Sequence, residues 1–218
     1  RLTRDRSVHF ILLLIKVTVG PHSTGNGCGF SAFELYGLSW QLDCSMQKVL
    51  TAAQMREVDR LTTEKYGISS VILMENAAHA VVRVIAEKLG GSVRGKSVLV
   101  LCGKGNNGGD GAAIARILWQ MGAKVDALVW GEAPAGEGDT AGNFAIVSRL
   151  EGYIGFHQIQ SKDQLYATWQ YYRSEKKFDV IVDAVFGTGL DRPLTDEYFS
   201  FLDIARDHKL DSHCPLIV

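Results

Sequence analysis

An α/β fold built on a doubly wound, mostly parallel sheet is the class this sequence predicts, and three observations predict it. Short apolar runs alternate with helix-length amphipathic segments from Met46 onward, and each strand–helix–strand passage implies a right-handed crossover. The run SVLVLC (Ser97–Cys102) is unbroken enough to be a strand buried on both faces. It and the later run FDVIVDAV both lead directly into glycine-rich loops, and ligands bind such sheets beyond the carboxyl ends of the strands.

The size and composition suit one such domain. The chain has 218 residues, 46% hydrophobic and 22% charged, which is ordinary for a globular protein. A formal net charge of −1 provides no field that would draw it to nucleic acid or to a membrane, so neither is expected as a partner. Cys28, Cys44, Cys102 and Cys214 are widely spaced, with no Cys-x-x-Cys and no paired histidines. A disulfide framework or zinc site is therefore not expected, and a reducing cytoplasm is the expected compartment.

The first 45 residues stand apart. They begin with a basic stretch and an apolar run from Val8 to Val19, interrupted by His9, Lys16 and Thr18. The run is too short to cross a bilayer as a helix, and no clean small-x-small cleavage site follows it. Residues 1–45 read as an N-terminal extension, disordered or upstream of the true start at Met46, and residues 46–218 as the folded domain.

The elements follow in order. Thr51-x-x-Gln54 is a capping-box pattern, and Met55, Val58 and Leu61 carry a helical stripe up to Gly67. A second helix starts near Ser69 or Ser70 and stops at Gly90–Gly91. After the strand Ser97–Cys102, the residues Ile114, Ile117, Leu118 and Met121 give the stripe of a helix packed on a sheet, closed by Gly122. KVDALVW is the second strand and GDTAGNFAIVSRL the next helix, while GFHQIQ is a weak third strand followed by the helix DQLYATWQYYRSE. FDVIVDAV is a buried strand, a helix is expected around Asp196–His208, and CPLIV opens one more strand.

Chemistry concentrates in the two glycine loops. The first, Gly103–Gly111, contains a Gly-x-Gly-x-x-Gly (Gly103, Gly105, Gly108) before a helix whose N-terminal N–H groups attract anions. Alone, that fingerprint often marks nothing more than a tight strand-to-helix turn. A nicotinamide-dependent oxidoreductase is the obvious competing function. Against it, Asp110 sits where a pyrophosphate would rest, Asp126 lies near the start of the second strand, and Glu132 just past its end is only a fair ribose-binding candidate. Asp110 also suits a helix N-cap, a purely structural role. A cation would reconcile the acid with a phosphate. Asn107 offers an amide oxygen and Asp183, at the second loop, a carboxylate, and backbone carbonyls could complete an all-oxygen shell of the kind hard cations and K⁺ accept.

Other features read as structural. The six histidines lack ligand spacing, Trp169, Tyr171 and Tyr172 suit packing on a helix, and Glu75 and Asn76 suit holding the second helix to the sheet. Lys104, inside the first loop, could touch an anion.

Four motifs together carry a resemblance. GKGNNGGDG, VDAVFGTGLDRP, the upstream LMENAA (Leu73–Ala78) and the start VLTAAQMREVD resemble the NAD(P)H-hydrate epimerases, the YjeF N-terminal domain family, over Lys48–Val218. The resemblance implies a Rossmann-like three-layer α/β/α sandwich that interconverts the R and S forms of hydrated NADH or NADPH at the C6 hydroxyl. Such a repair enzyme would depend on K⁺, with a separate or fused ADP- or ATP-dependent dehydratase acting on the S form. Carried over by motif, Asn106, Asn107, Gly108, Gly109 and Asp110 would contact the hydrate. Gly187, Thr188, Gly189, Leu190, Asp191, Arg192 and Pro193 would form the other wall, and Asn107 and Asp183 would bind K⁺. No catalytic acid or base is assigned. The family pattern continues into an Asp-Ile-Pro-Ser-Gly loop after the strand that opens at CPLIV, and the sequence in hand stops before it, so an incomplete site is expected. A homodimer through the apolar second helix is a further expectation. A non-catalytic scaffold for RNA is the remaining alternative, which the near-neutral charge and intact loops disfavour.

Overall fold

The computed structural model describes residues 50–187, 190, 193–203 and 216–217. Helix α1 (Ala52–Tyr66) begins at a complete capping box. Thr51 accepts from the Gln54 N–H and the Gln54 side chain returns to the Thr51 N–H, while Gly67 closes the helix at φ +70°. Helix α2 (Ser70–Lys88) follows, then β1 (Ser97–Cys102), α3 (Asn106–Gln120), β2 (Lys124–Trp130), α4 (Asp139–Arg149), β3 (Gly155–Ile159), α5 (Lys162–Glu175), β4 (Val180–Ala184) and β5 (Leu216–Ile217). Residues 196–203 are helical, and the rest of the helix expected to reach His208 lies outside the described residues. So does the whole of the proposed extension, residues 1–45.

The strands are ordered β3-β2-β1-β4-β5 and every pair is parallel. The chain leaves β1 toward one edge and returns beside it on the other at β4. The order thus reverses between β1 and β4, where an open parallel sheet leaves a crevice for ligands.

Period-two alternation assigns each strand residue to a layer. Val98, Val100 and Cys102 of β1 face a core shared with α2, α3 and α4, whereas Leu99 and Leu101 face a second core shared with α5 and Phe201. The molecule is therefore the expected α/β/α sandwich. Helix α3 is nearly all buried on its inner side, through Ile114, Ile117 and Leu118, each worth roughly 1.5–3 kcal/mol over an exposed position. Met121, expected to extend that stripe, is instead the C-cap residue and is 44% exposed. The chain turns there, so the helical period no longer applies.

Helix α2 uses its apolar face internally: Met74, Ala78, Val81, Val82 and Ile85 are buried. The apolar residues left exposed there cluster at the α1–α2 corner, at Leu61, Tyr66, Ile68, Val71 and Ile72. Trp169 and Tyr172 pack inward as expected, while Tyr171 is exposed. Burial pushes the Cys102 thiol up to about 12, which makes it an inert core residue.

At the amino end of the sheet, the buried Asp126 carboxylate accepts two hydrogen bonds from Lys176 Nζ (2.6 and 2.7 Å) and one from the Tyr172 hydroxyl (3.3 Å). Among the described residues, no helix is long and apolar enough to cross a membrane.

Candidate functional site

The carboxyl ends of β1 and β4 meet almost without side chains between them. Gly103 N–H donates to Ala184 C=O at 3.0 Å, and a Cβ on Gly103 would collide with the carbonyl of Val185. A Cβ on Gly108 would in turn strike the carbonyl of Gly103, a backbone atom that cannot move aside. One turn further on, a Cβ on Gly111 would lie 2.6 Å from Ala184 Cβ and 2.9 Å from Cys102 Sγ. These glycines let α3 start directly on top of β1 and β4. Its first amides, unpaired within the helix, then face the crevice.

This placement corrects one reading. Asp110 is not the N-cap: Gly105 is, with no side-chain cap, and Asn106 is the first helical residue. The chain enters the helix as soon as Gly108 can nestle against Gly103, so Asp110 lies a full turn inside. Its side chain is half-buried, and burial, with the charge of Asp59 on α1 adding to it, pushes the carboxyl up to about 7. An acid near a phosphate cradle thus carries only part of its charge at neutral pH.

Asn106 is exposed and its Oδ1 accepts from the Thr140 hydroxyl at 3.3 Å. Asn107 is half-buried, and a Cβ on Gly187 would lie 3.4 Å from its Oδ1, so the two glycine loops touch at this amide. Asp183 stands opposite Leu101 in the β1–β4 register, half-buried, its Oδ1 accepting from Val185 N–H at 3.0 Å. Burial raises its carboxyl above the ordinary range, and that N–H partly opposes the rise.

Asn107 and Asp183 offer an amide oxygen and a carboxylate, hard donors of the kind that suit a cation such as K⁺ better than a soft metal. Among the described residues, no three His, Cys, Asp or Glu side chains gather as a metal cluster.

Of the remaining expected residues, Gly108 is buried against Gly103 and Gly109 under α4 and α2, where Thr140 Oγ1 and Met74 Cε lie 2.9 and 3.1 Å from the position of a Gly109 Cβ. Gly187, Leu190 and Pro193 are exposed on the second loop. Thr188, Gly189, Asp191 and Arg192 lie outside the described residues. Glu75 binds the Arg116 guanidinium, so it ties α2 to the helix α3 rather than to the sheet as expected. Asp126, occupied by Lys176, is no ribose ligand, whereas Glu132 is exposed just beyond β2. The sequence had not singled out Asp59 and Thr140. Thr140 stands in the opening turn of a helix, a position that invites polar contacts, but nothing local marks Asp59.

The sequence model of a family described as YjeF-related protein N-terminus matches residues 70–214. A bifunctional NAD(P)H-hydrate repair enzyme Nnr from Moorella thermoacetica is 38% identical over 147 residues, covering 65% of this chain and 26% of that protein. An NAD(P)H-hydrate epimerase from Weissella koreensis is 36% identical over 149 residues, covering 68% of this chain and 60% of that one. The chain therefore spans about a quarter of the first relative and three fifths of the second. Among solved structures, that of the yeast protein ynu0 (YNL200c) superposes with a TM-score of 0.59 at 26% identity, covering 78% of this chain and 68% of the yeast chain.

Proposed function

The chain belongs to the YjeF-related protein N-terminus family, and from that membership we propose that its β1–β4 crevice epimerises hydrated NADH and NADPH, converting the R form to the S form. What supports this reading is the carboxyl of Asp110, poised between its two forms in the opening turns of α3, together with the approach of the second glycine loop to Asn107 and the place of Asp183 at the end of the neighbouring strand. Those amides suit the substrate's pyrophosphate. Asn107 and Asp183 are the proposed holders of K⁺, which when bound supplies a fixed positive charge beside the substrate.

Asp110 is the proposed proton carrier, since a carboxyl at about 7 has both forms available at working pH. Asp110 gives its proton to the C6 hydroxyl. The C6–O bond breaks, and water departs as the ring nitrogen's electron pair forms the C6=N bond of an iminium ion. Water then adds to the opposite face of C6 and releases its proton to solvent, Asp110 regains a proton from solvent, and nitrogen recovers its pair. No redox partner is required. Asn106, steadied by Thr140, orients the substrate. The S hydrate then passes to a dehydratase, fused or separate.

The test is to incubate the full-length protein with purified R hydrate and separate the isomers over time, with K⁺ or with a bulky organic cation. The reading expects the two isomers to equilibrate, and faster with K⁺. An R hydrate that keeps its configuration beyond the uncatalysed rate would reject it.

A further inference from the structure

We propose that Lys104 binds the 2′-phosphate at the adenosine end of the substrate, so that the site favours the phosphorylated dinucleotide hydrate. This assignment rests on the substrate reading above and names which form of it the crevice prefers.

Lys104 belongs to the loop Gly103–Gly105, yet its side chain does not fold back over the start of α3. It lies across Gly131, the first residue after β2. A Cβ on Gly131 would sit 2.9 Å from Lys104 Cε and closer still to Nζ. Gly131 has φ +80° and donates its N–H to the Ile159 carbonyl at 2.7 Å, which pins this bare strand end against β3. The ammonium therefore ends over the carboxyl end of β2. Among the described residues it forms no ion pair or hydrogen bond there, so its charge is available.

When a dinucleotide lays its pyrophosphate on the helix after the first strand, its adenosine ribose falls at the end of the second. An acid there holds a 2′-hydroxyl, and a cation accommodates a 2′-phosphate. This chain offers both Glu132, exposed beyond the strand, and Lys104, laid over it. Beyond Gly131 the same loop walls a groove of about 260 Å³ lined by Ala133, Pro134, Phe144 and Phe156. In the proposed pose a purine ring occupies that groove and its ribose lies toward Gly131, the residue Lys104 covers. A phosphate dianion gains more from an unpaired ammonium than a hydroxyl gains from a solvated carboxylate.

Calorimetric titration of the full-length protein with 2′-phospho-ADP-ribose and with ADP-ribose tests this. The wild type is expected to bind the phosphorylated probe about tenfold or more tighter; Lys104→Met should bring that probe to the level of ADP-ribose and leave ADP-ribose within about twofold, while Lys104→Arg keeps most of the difference. Equal binding of both probes by the wild type, or equal weakening of both by Lys104→Met, overturns the assignment while leaving the substrate reading standing. If the wild type binds neither probe, the assignment falls together with the substrate reading.

Discussion

Asp110 shows how much one residue's environment decides. In the unfolded chain its carboxyl ionises near 3.8, and in the fold only near 7, because it is buried and faces Asp59. Between those values the folded chain holds a proton that the unfolded chain has released. Stability is therefore highest at the acid end of the window and falls as pH rises through it, by on the order of 2–4 kcal/mol. Thermal melts of Asp110→Asn should lose most of this slope, keeping the part due to Asp59 and Asp183, whose carboxyls are raised in the same sense. A wild-type melting temperature that does not decline between pH 5 and 8 would contradict the account. Asp59→Asn should lower the midpoint above which kcat/KM declines, since it removes the neighbouring charge that raises Asp110. A pH–rate profile reads this directly, and a midpoint that stays put or rises would count against it. None of this was legible in sequence. Asn107 and Asp183 stood out by their place at strand ends, but the partner that tunes Asp110 arrives from a helix distant in the chain.

The elements themselves were far more legible, because their signals are local. The capping box at Thr51 and Gln54, the unbroken run of β1 and the apolar stripe of α3 as far as Leu118 each follow from a few neighbouring residues, and each formed where expected. What the sequence misjudged was where α3 begins. Asp110 is a good cap by type, but the start is set by close packing of Gly108 on Gly103, which only the β1–β4 junction reveals. Element-scale predictions follow. Gly111→Ala would push a methyl to within 2.6 Å of Ala184 Cβ and 2.9 Å of Cys102 Sγ, so α3 must lift, at a cost of about 1–3 kcal/mol in chemical denaturation. Thr51→Ala, which removes the α1 cap, should cost about 1 kcal/mol. If Gly111→Ala is as stable as wild type, the close seating of α3 is wrong.

At the scale of the whole molecule, the buried ion-pair network and the candidate site occupy opposite ends of the sheet. The amino end carries the Asp126–Lys176–Tyr172 network, whereas the carboxyl end carries Asn107, Asp110 and Asp183. Lys176→Met strands a buried carboxylate and should destabilise the fold by about 3 kcal/mol while leaving substrate binding and turnover of the folded fraction unchanged. The doubly wound order was readable from the alternation of strands and helices. The meeting of the two glycine loops at Asn107 and Gly187 was not, because it depends on how far apart β1 and β4 hold them. The account's central claim is that Asp110, one turn into α3, moves the proton for the hydrated cofactor. It is tested most directly by comparing R-to-S conversion by wild-type and Asp110→Asn full-length protein at pH 7, with ADP-ribose binding measured on both. The account predicts a fall in kcat of roughly 10²-fold or more with binding retained. Turnover by Asp110→Asn within a few-fold of wild type would show that the proton moves through another group.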